Sequence, residues 1–359
     1  MSKARLHDVA RRAGVSIKTV SRVINNEPNV RDSTRDAVMA AIAALDYHPD
    51  TSARRLASRR SYLIGLLYED PSPYESPSAT YVTALQGGVL ERTRAEGYDL
   101  LIHPCADLSA ELTPAIRSLV VQTHVDGVIL APPLAEKRSL VRVLRELQTP
   151  FVRISPGTPS PDDEAIQTDD RAACRKMTCY LASLGHQRIG FIVGHQDHRA
   201  VQNRYLGYQD GLTGANLPLE PTLVQHGDNS FESGVRCARM LLTQRHPPSA
   251  IFASNDDMAA GVMRVAHEMG MSIPDDVSVA GYDDSPLARQ LWPSLTTIRQ
   301  PTFEMASAAA QLLLARIHQR DERPASTLLP GQLVLRETTA PPPNAPRPRP
   351  WERQTLTID

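Results

Sequence analysis

The chain runs to 359 residues, with 39 Lys/Arg against 40 Asp/Glu, a formal charge of −1 and 41% hydrophobic residues, enough for two or three domains with a sizeable core. No stretch reaches the roughly 18 apolar residues that a membrane-spanning helix needs, and the N-terminus lacks the basic, apolar, small-residue succession of a secretion signal, so a cytoplasmic protein without membrane contact is expected. The four cysteines, Cys105, Cys174, Cys179 and Cys237, are scattered without a CxxC pair; they indicate neither a metal site nor a disulfide framework and read as small core residues.

The near-neutral total hides a division. Residues 1–60 hold 12 Lys/Arg and 6 Asp/Glu, a net +6, which leaves −7 for the rest. A basic head on an acidic body suits a protein of which one end meets a polyanion.

Residues 6–24, LHDVARRAGVSIKTVSRVI, predict two short amphipathic helices around the turn Gly14-Val15-Ser16. In the first, Leu6, Val9, Ala10 and Ala13 recur at helical spacing and form a buried stripe. Gly14 can take the left-handed geometry that stops a helix, and Ser16 can cap the next one. In the second helix Val20, Val23 and Ile24 face inward, which leaves Ser16, Ile17, Lys18, Thr19, Ser21, Arg22 and Asn25 outside. That set carries base-edge and phosphate chemistry: Arg22 can fork onto guanine, Lys18 can approach the same acceptors, Ile17 can meet a thymine methyl, and hydroxyls can hold phosphates. A third helix over 33–45 buries Val38, Ile42 and Leu45, and Pro49 enforces its end at Asp46-Tyr47-His48. In residues 51–60, TSARRLASRR, Ala53, Leu56 and Ala57 share one helical face. So short a segment is below the roughly 12–15 residues at which a lone helix is marginal, and it should fold only against a partner. Tyr47 and Ala53 complete the DNA-contact candidates.

The run from LHDVARRAGVSIKTVSRVI through TSARRLASRRS resembles, without a gap, the head and hinge of the lactose-repressor (LacI) family of bacterial transcription regulators. The resemblance implies a hinge helix paired with its twin on DNA, with Leu56 wedged into the minor groove at the operator centre, where an apolar side chain unstacks a base step.

From residue 62 short apolar runs alternate with amphipathic stretches. Strands are predicted over 63–68, 100–103, 127–130, 151–154, 188–193, 250–254 and 277–282, and helices over 83–96, 135–147, 172–184, 201–212, 233–243, 258–269 and 304–320. This alternation argues for an α/β core of two doubly wound parallel-sheet lobes, with a ligand cleft at the carboxyl ends of the strands. The segments beginning IQTDDRAACRKM and SNDDMAAGVMRV resemble the family's effector core, which is similar to periplasmic sugar-binding proteins. Carried over position by position, the resemblance implies Asp169, Arg204, Asn255, Asp283 and Gln300 as effector contacts, groups suited to a sugar's vicinal hydroxyls. Tyr81 is a further cleft candidate. One departure stands out: where family members usually set an aromatic ring against the ligand, this chain has Asn229, with Phe231 two residues on.

The expected organisation is a helix-turn-helix head (1–47), a hinge (48–61), a two-lobed effector-binding and dimerisation core (62–340) and a proline-rich disordered tail (341–359). The expected function is an allosteric regulator, in the sense of a repressor, acting as a homodimer on near-palindromic operator DNA. Its effector would be a sugar or sugar derivative, with a purine-type or other non-sugar corepressor as the alternative, and no cofactor is implied. An enzyme built on the core is disfavoured because no GxGxxG, GxxxxGK or GxSxG motif appears and His195 and His198 form an isolated pair. A sugar-transport binding protein is disfavoured by the basic head and the missing signal sequence.

Overall fold

The computed structural model describes residues 4–24, 30–47, 60–69, 79–105, 112–157, 164–196, 198–320 and 327–343. Asn25, the hinge residues Ala53 and Leu56, and the expected tail beyond residue 343 lie outside the described residues. The chain divides into two compact units, Met1–Tyr62 and Leu63–Asp359.

In the first unit, α1 (Leu6–Ala13), α2 (Ile17–Ile24) and α3 (Asp32–Ala44) enclose a small core in which Val9, Val20 and Val38 are fully buried. Asp8 accepts the Arg5 N–H at 3.0 Å and closes the start of α1. Gly14 ends it at φ +65°, where a Cβ would meet nothing within 4 Å; the backbone conformation, not space, requires the glycine. Tyr47, expected among the DNA contacts, is instead packed into this core and is only 8% exposed.

The second unit contains two lobes. The first is built from β1 (Leu63–Glu69), α4 (Ala79–Ala95), β2 (Asp99–Cys105), α5 (Leu112–Thr123), β3 (Gly127–Leu130), α6 (Arg138–Glu146), β4 (Phe151–Ile154) and β5 (Ala165–Thr168). The second comprises α7 (Asp170–Ser183), β6 (Ile189–Val193), α8 (Arg199–Gly214), β7 (Val224–His226), α9 (Phe231–Leu242), β8 (Ala250–Ala253), α10 (Asp256–Glu268), β9 (Ser278–Ala280), α11 (Pro286–Gln290) and β10 (Thr297–Arg299). The chain then returns through α12 (Thr302–Ile317), which packs on α4 of the first lobe, and ends in β11 (Leu328–Leu329) and β12 (Gln332–Val334). The first sheet has the order β11-β5-β4-β3-β1-β2 and the second β7-β6-β8-β9, with every pair parallel. The strand runs are apolar on both faces because helices cover both sides. Phe191 and Phe252 meet edge-to-face at 5.2 Å in the second core, while Ile116, Val128 and Leu130 fill the first.

The predicted helices α7, α9 and α10 begin two residues earlier than their apolar periodicity indicates. Their starts are set by polar caps: Asp169 accepts the Ala172 N–H at 3.0 Å, Ser230 that of Ser233 at 3.1 Å, and Asn255 that of Met258 at 2.9 Å. Helix α5 and strand β5 were not predicted. In α5 Pro114 lies in the first turn, where its missing N–H has no intrahelical partner to lose. Cys105, Cys174 and Cys237 are buried and Cys179 is half-buried.

His186, 1% exposed, fastens the second lobe to the chain's last described segment. Its Nε2 lies 2.9 Å from the Ala340 carbonyl, which can only accept, so Nδ1 accepts from the Ser249 hydroxyl at 2.9 Å in the neutral ring. Burial pushes this imidazole from 6.5 down to about 4, against the pull of the Ala340 carbonyl. A depressed histidine contributes stability that is full above the unfolded value and is lost as pH falls towards the folded one. Acidifying from 6.5 to 4 should therefore remove about 3 kcal/mol through this residue, at ~1.36 kcal/mol per pH unit. Urea unfolding across that range should show a shallower acid loss for His186→Gln; parallel curves for the two proteins would count against the effect.

Candidate DNA-reading face and ligand cleft

On the head, the Ser16 hydroxyl accepts the Thr19 N–H at 3.1 Å and lies 2.9 Å from the Thr19 hydroxyl, so both residues help to start α2. Ile17 is 50% exposed and Lys18 is exposed, while Ser21 and Arg22 are half-buried. The outer face of a second helix that follows a tight glycine turn thus offers an apolar group beside cationic ones, the composition of a major-groove reader.

In the second unit a cleft of about 500 Å³ opens between the lobes. Its wall brings together Tyr81, Arg204, Asn255, Asp283 and Gln300 from five separate places in the sequence. Asp169 is not on that wall: its carboxylate caps α7, and its neighbour Asp170, 3% exposed, turns inward instead.

Arg204 is the centre of the site. Its Nε donates to Asp170 Oδ1 at 2.8 Å, Nη1 to the Ser254 carbonyl at 2.6 Å and Nη2 to Gln300 Oε1 at 3.2 Å. The Tyr282 ring lies 3.7 Å beneath the guanidinium, and the Tyr282 hydroxyl donates to the same Asp170 oxygen at 2.7 Å. Burial alone would lower the arginine's pKa, but Asp170, Tyr282 and Asp283 hold it above its usual range. Three of the five guanidinium N–H donors are thereby used, which leaves capacity towards Asp283, whose Oδ1 lies 3.7 Å from Nη1. The Asp283 carboxyl is raised by burial, with Arg204 opposing the rise. Asn255 caps α10 and donates to the Asn229 carbonyl at 2.8 Å, so both ends of its amide are engaged.

Asn229 does line the cleft, at φ +73° with its Oδ1 accepting the His195 N–H at 3.3 Å. Phe231 does not replace the missing ring: it starts α9, outside the cleft wall, with Arg264 6.0 Å from its ring centre. Phe303, 40% exposed at the start of α12, lines the cleft together with Tyr68 and Tyr81. Sequence reading missed Phe303, Ser155, Asp257 and the histidine pair, all on the wall. His195 and His198 lie with ring centres 5.8 Å apart. Asp257 is pushed up to about 6 and the adjacent buried Asp256 to about 7, in both cases by burial. Only the unbroken run of Asn255, Asp256 and Asp257 could have flagged them, because a solvated helix start has the same composition.

A basic-faced trihelical head together with a polar cleft between two parallel-sheet lobes defines a ligand-responsive DNA-binding protein. Residues 5–50 match the family described as bacterial regulatory proteins, lacI family, and residues 178–339 match the periplasmic binding protein-like domain. The chain is 34% identical over 345 residues to the HTH-type transcriptional regulator DegA of Bacillus subtilis (strain 168), covering 94% of this chain and 99% of that one. Among solved structures it is similar to a transcriptional regulator CelR–cellobiose complex (32% identity, TM-score 0.71) and to a Lac repressor dimer bound to operator and the anti-inducer ONPF (28% identity, TM-score 0.74). Both matches cover 94% of this chain and 100% of the other. The chain belongs to the LacI family of helix-turn-helix transcriptional regulators: it is a DNA-binding repressor with a periplasmic-binding-protein-like effector domain, and not an enzyme. No helix among the described residues is long and apolar enough to cross a membrane.

Proposed function

We propose that this chain binds a near-palindromic operator as a homodimer and that a neutral sugar bound between the lobes resets its operator affinity. The observation that carries the effector class is the Arg204–Asp283 pair, a fork of donors beside a carboxylate, facing a cleft that also holds Gln300 and the Phe303 ring. Alternating donors and acceptors suit vicinal hydroxyls, and a ring face suits the apolar side of a pyranose. Carboxylates of Glu69, Asp228, Asp257, Asp283 and Glu304 line the same space as Arg204, Arg289 and Arg299, so the wall is mixed in sign and not a purely cationic pocket of the kind a phosphate favours. The similar structure in complex with cellobiose supports the class; the operator-bound dimer supports the DNA mode. Ser16, Ile17, Lys18, Thr19, Ser21, Arg22 and Asn25 would meet the half-site, Ala53 and Leu56 would meet its centre, and ligand binding would shift the balance between DNA-competent and DNA-incompetent states.

The test is a thermal-shift panel on the full-length protein with neutral mono- and disaccharides including cellobiose, sugar phosphates and purines, with and without operator DNA. A ligand at a hundred times its Kd adds about 2.7 kcal/mol to the folded state, or several degrees for a core of this size. A neutral sugar should raise Tm, and operator should change that rise, because linkage makes the coupling reciprocal. Shifts confined to phosphates or purines would overturn the sugar assignment.

A further inference from the structure

Helix α8 carries Arg204, and its N-cap residue His198 makes no side-chain hydrogen bond to the first turn. The partner comes from the other lobe. Glu136, in the short turn Leu134–Glu136 that follows β3, accepts the Arg199 N–H on Oε1 at 2.8 Å, and its Oε2 lies 3.4 Å from Arg199 Nε. The glutamate is held rigidly: Leu134 and Ala135 are fully buried, and Arg153 donates to the Ala135 carbonyl at 3.1 Å. Its side chain is 13% exposed and also takes a backbone hydrogen bond from Gly157, in the β4–β5 segment of the same lobe. Gly157 presses so closely on Arg199 that a Cβ there would lie 1.9 Å from the Arg199 Cβ. Beside this contact His198 Nε2 stands 3.8 Å from Glu69 Oε2, so two successive residues of one lobe each face an acid of the other.

A helix start is a fixed partial positive charge with unsatisfied N–H donors. A carboxylate that satisfies it from across a cleft does so at one lobe separation only. We infer that Glu136 is an interlobe catch, capping α8 in trans and holding the two lobes at this separation by the helix that bears Arg204. Rotation of one lobe on the other strips the cap from α8 and takes the Arg199 N–H from Glu136. The start of α8 therefore reports whether the lobes are engaged, independently of which effector the cleft takes.

Hydrogen exchange followed by mass spectrometry on the full-length chain, with no ligand added, tests the catch. In Glu136→Ala, amides of residues 199–206 should exchange about fivefold faster, the consequence of losing a helix cap, while α6 at 138–146 stays as in the wild type. Glu136→Gln keeps an acceptor oxygen but loses the charge, and should fall between the two; it also serves if the alanine variant does not fold. Unchanged exchange at 199–206 in the folded variants overturns the inference. So does acceleration confined to 127–146, which would make Glu136 a local support of its own lobe.

Discussion

Arg204→Ala is expected to destabilise the core by about 3–5 kcal/mol, besides abolishing any response to effector. Removing one partner of a buried pair leaves the other charged and unpaired, and that penalty is of this order. Here the residue left behind is Asp170, 3% exposed, with the Ser254 carbonyl and Gln300 Oε1 stripped of donors and the Tyr282 ring of its cation. Lysine cannot rescue it, because a single ammonium does not reproduce a planar fork that reaches three acceptors at once. Urea unfolding followed by circular dichroism measures the loss; a change under about 1 kcal/mol would mean the guanidinium is dispensable to the fold. Asp283, whose side chain is 27% exposed and meets Arg204 at 3.7 Å, is the cleaner probe of ligand binding, since Asp283→Asn removes a charge without orphaning a buried one.

Asp284→Ala should cost a similar ~3–5 kcal/mol, for a different reason. Its side chain is 1% exposed and grips two arginines: Arg299 Nε donates at 2.8 Å, and Arg336 Nη2 donates to the other oxygen. Arg336 is itself held by donating to the Leu295 carbonyl at 2.7 Å. This clamp lies at a strained turn, with Asp283 at φ +115° and Asp284 at φ +55°, both in the region that favours glycine. Such conformations persist only where surrounding contacts over-determine them, at ~1–3 kcal/mol each. The clamp therefore does two things: it neutralises Arg336, 13% exposed, and it fixes the backbone that presents Asp283 to the cleft. The expected signature is a lower urea midpoint with an unchanged m-value. A midpoint equal to that of the wild type would place the turn's support elsewhere.

Sequence reading reached the architecture because its signals are periodic. The apolar runs at 63–68, 151–154 and 250–254 mark strands covered on both faces, and α1 and α2 announce themselves through Gly14 and Ser16. Arg204, Asn255, Asp283 and Gln300 on the cleft wall were reached through the family resemblance, position by position, and not through any pattern within their own segments. Asp169 and Asp170 show the boundary: two adjacent carboxylates, one a helix cap and the other a buried ion-pair partner, are told apart by which way the first turn of α7 faces. No pattern within one segment sets that direction. Phe303 and Glu136 escaped for a related reason, because each acts across a gap between segments far apart in the chain. Tyr47, a DNA-contact candidate in the sequence, packs in the head's core.

The chain crosses between the lobes more than once, and this orders the events of its synthesis. The second lobe's four-stranded sheet is complete once Ala280 has been made, whereas the lobe begun first still lacks α12 against α4 and the edge strand β11 beside β5. The half that emerges first from the ribosome therefore waits on a late segment, and until Thr302–Ile317 arrives the α4 face that this helix packs on has no cover. Nascent chains stalled shortly after residue 300 should accordingly be the ones that most need a chaperone.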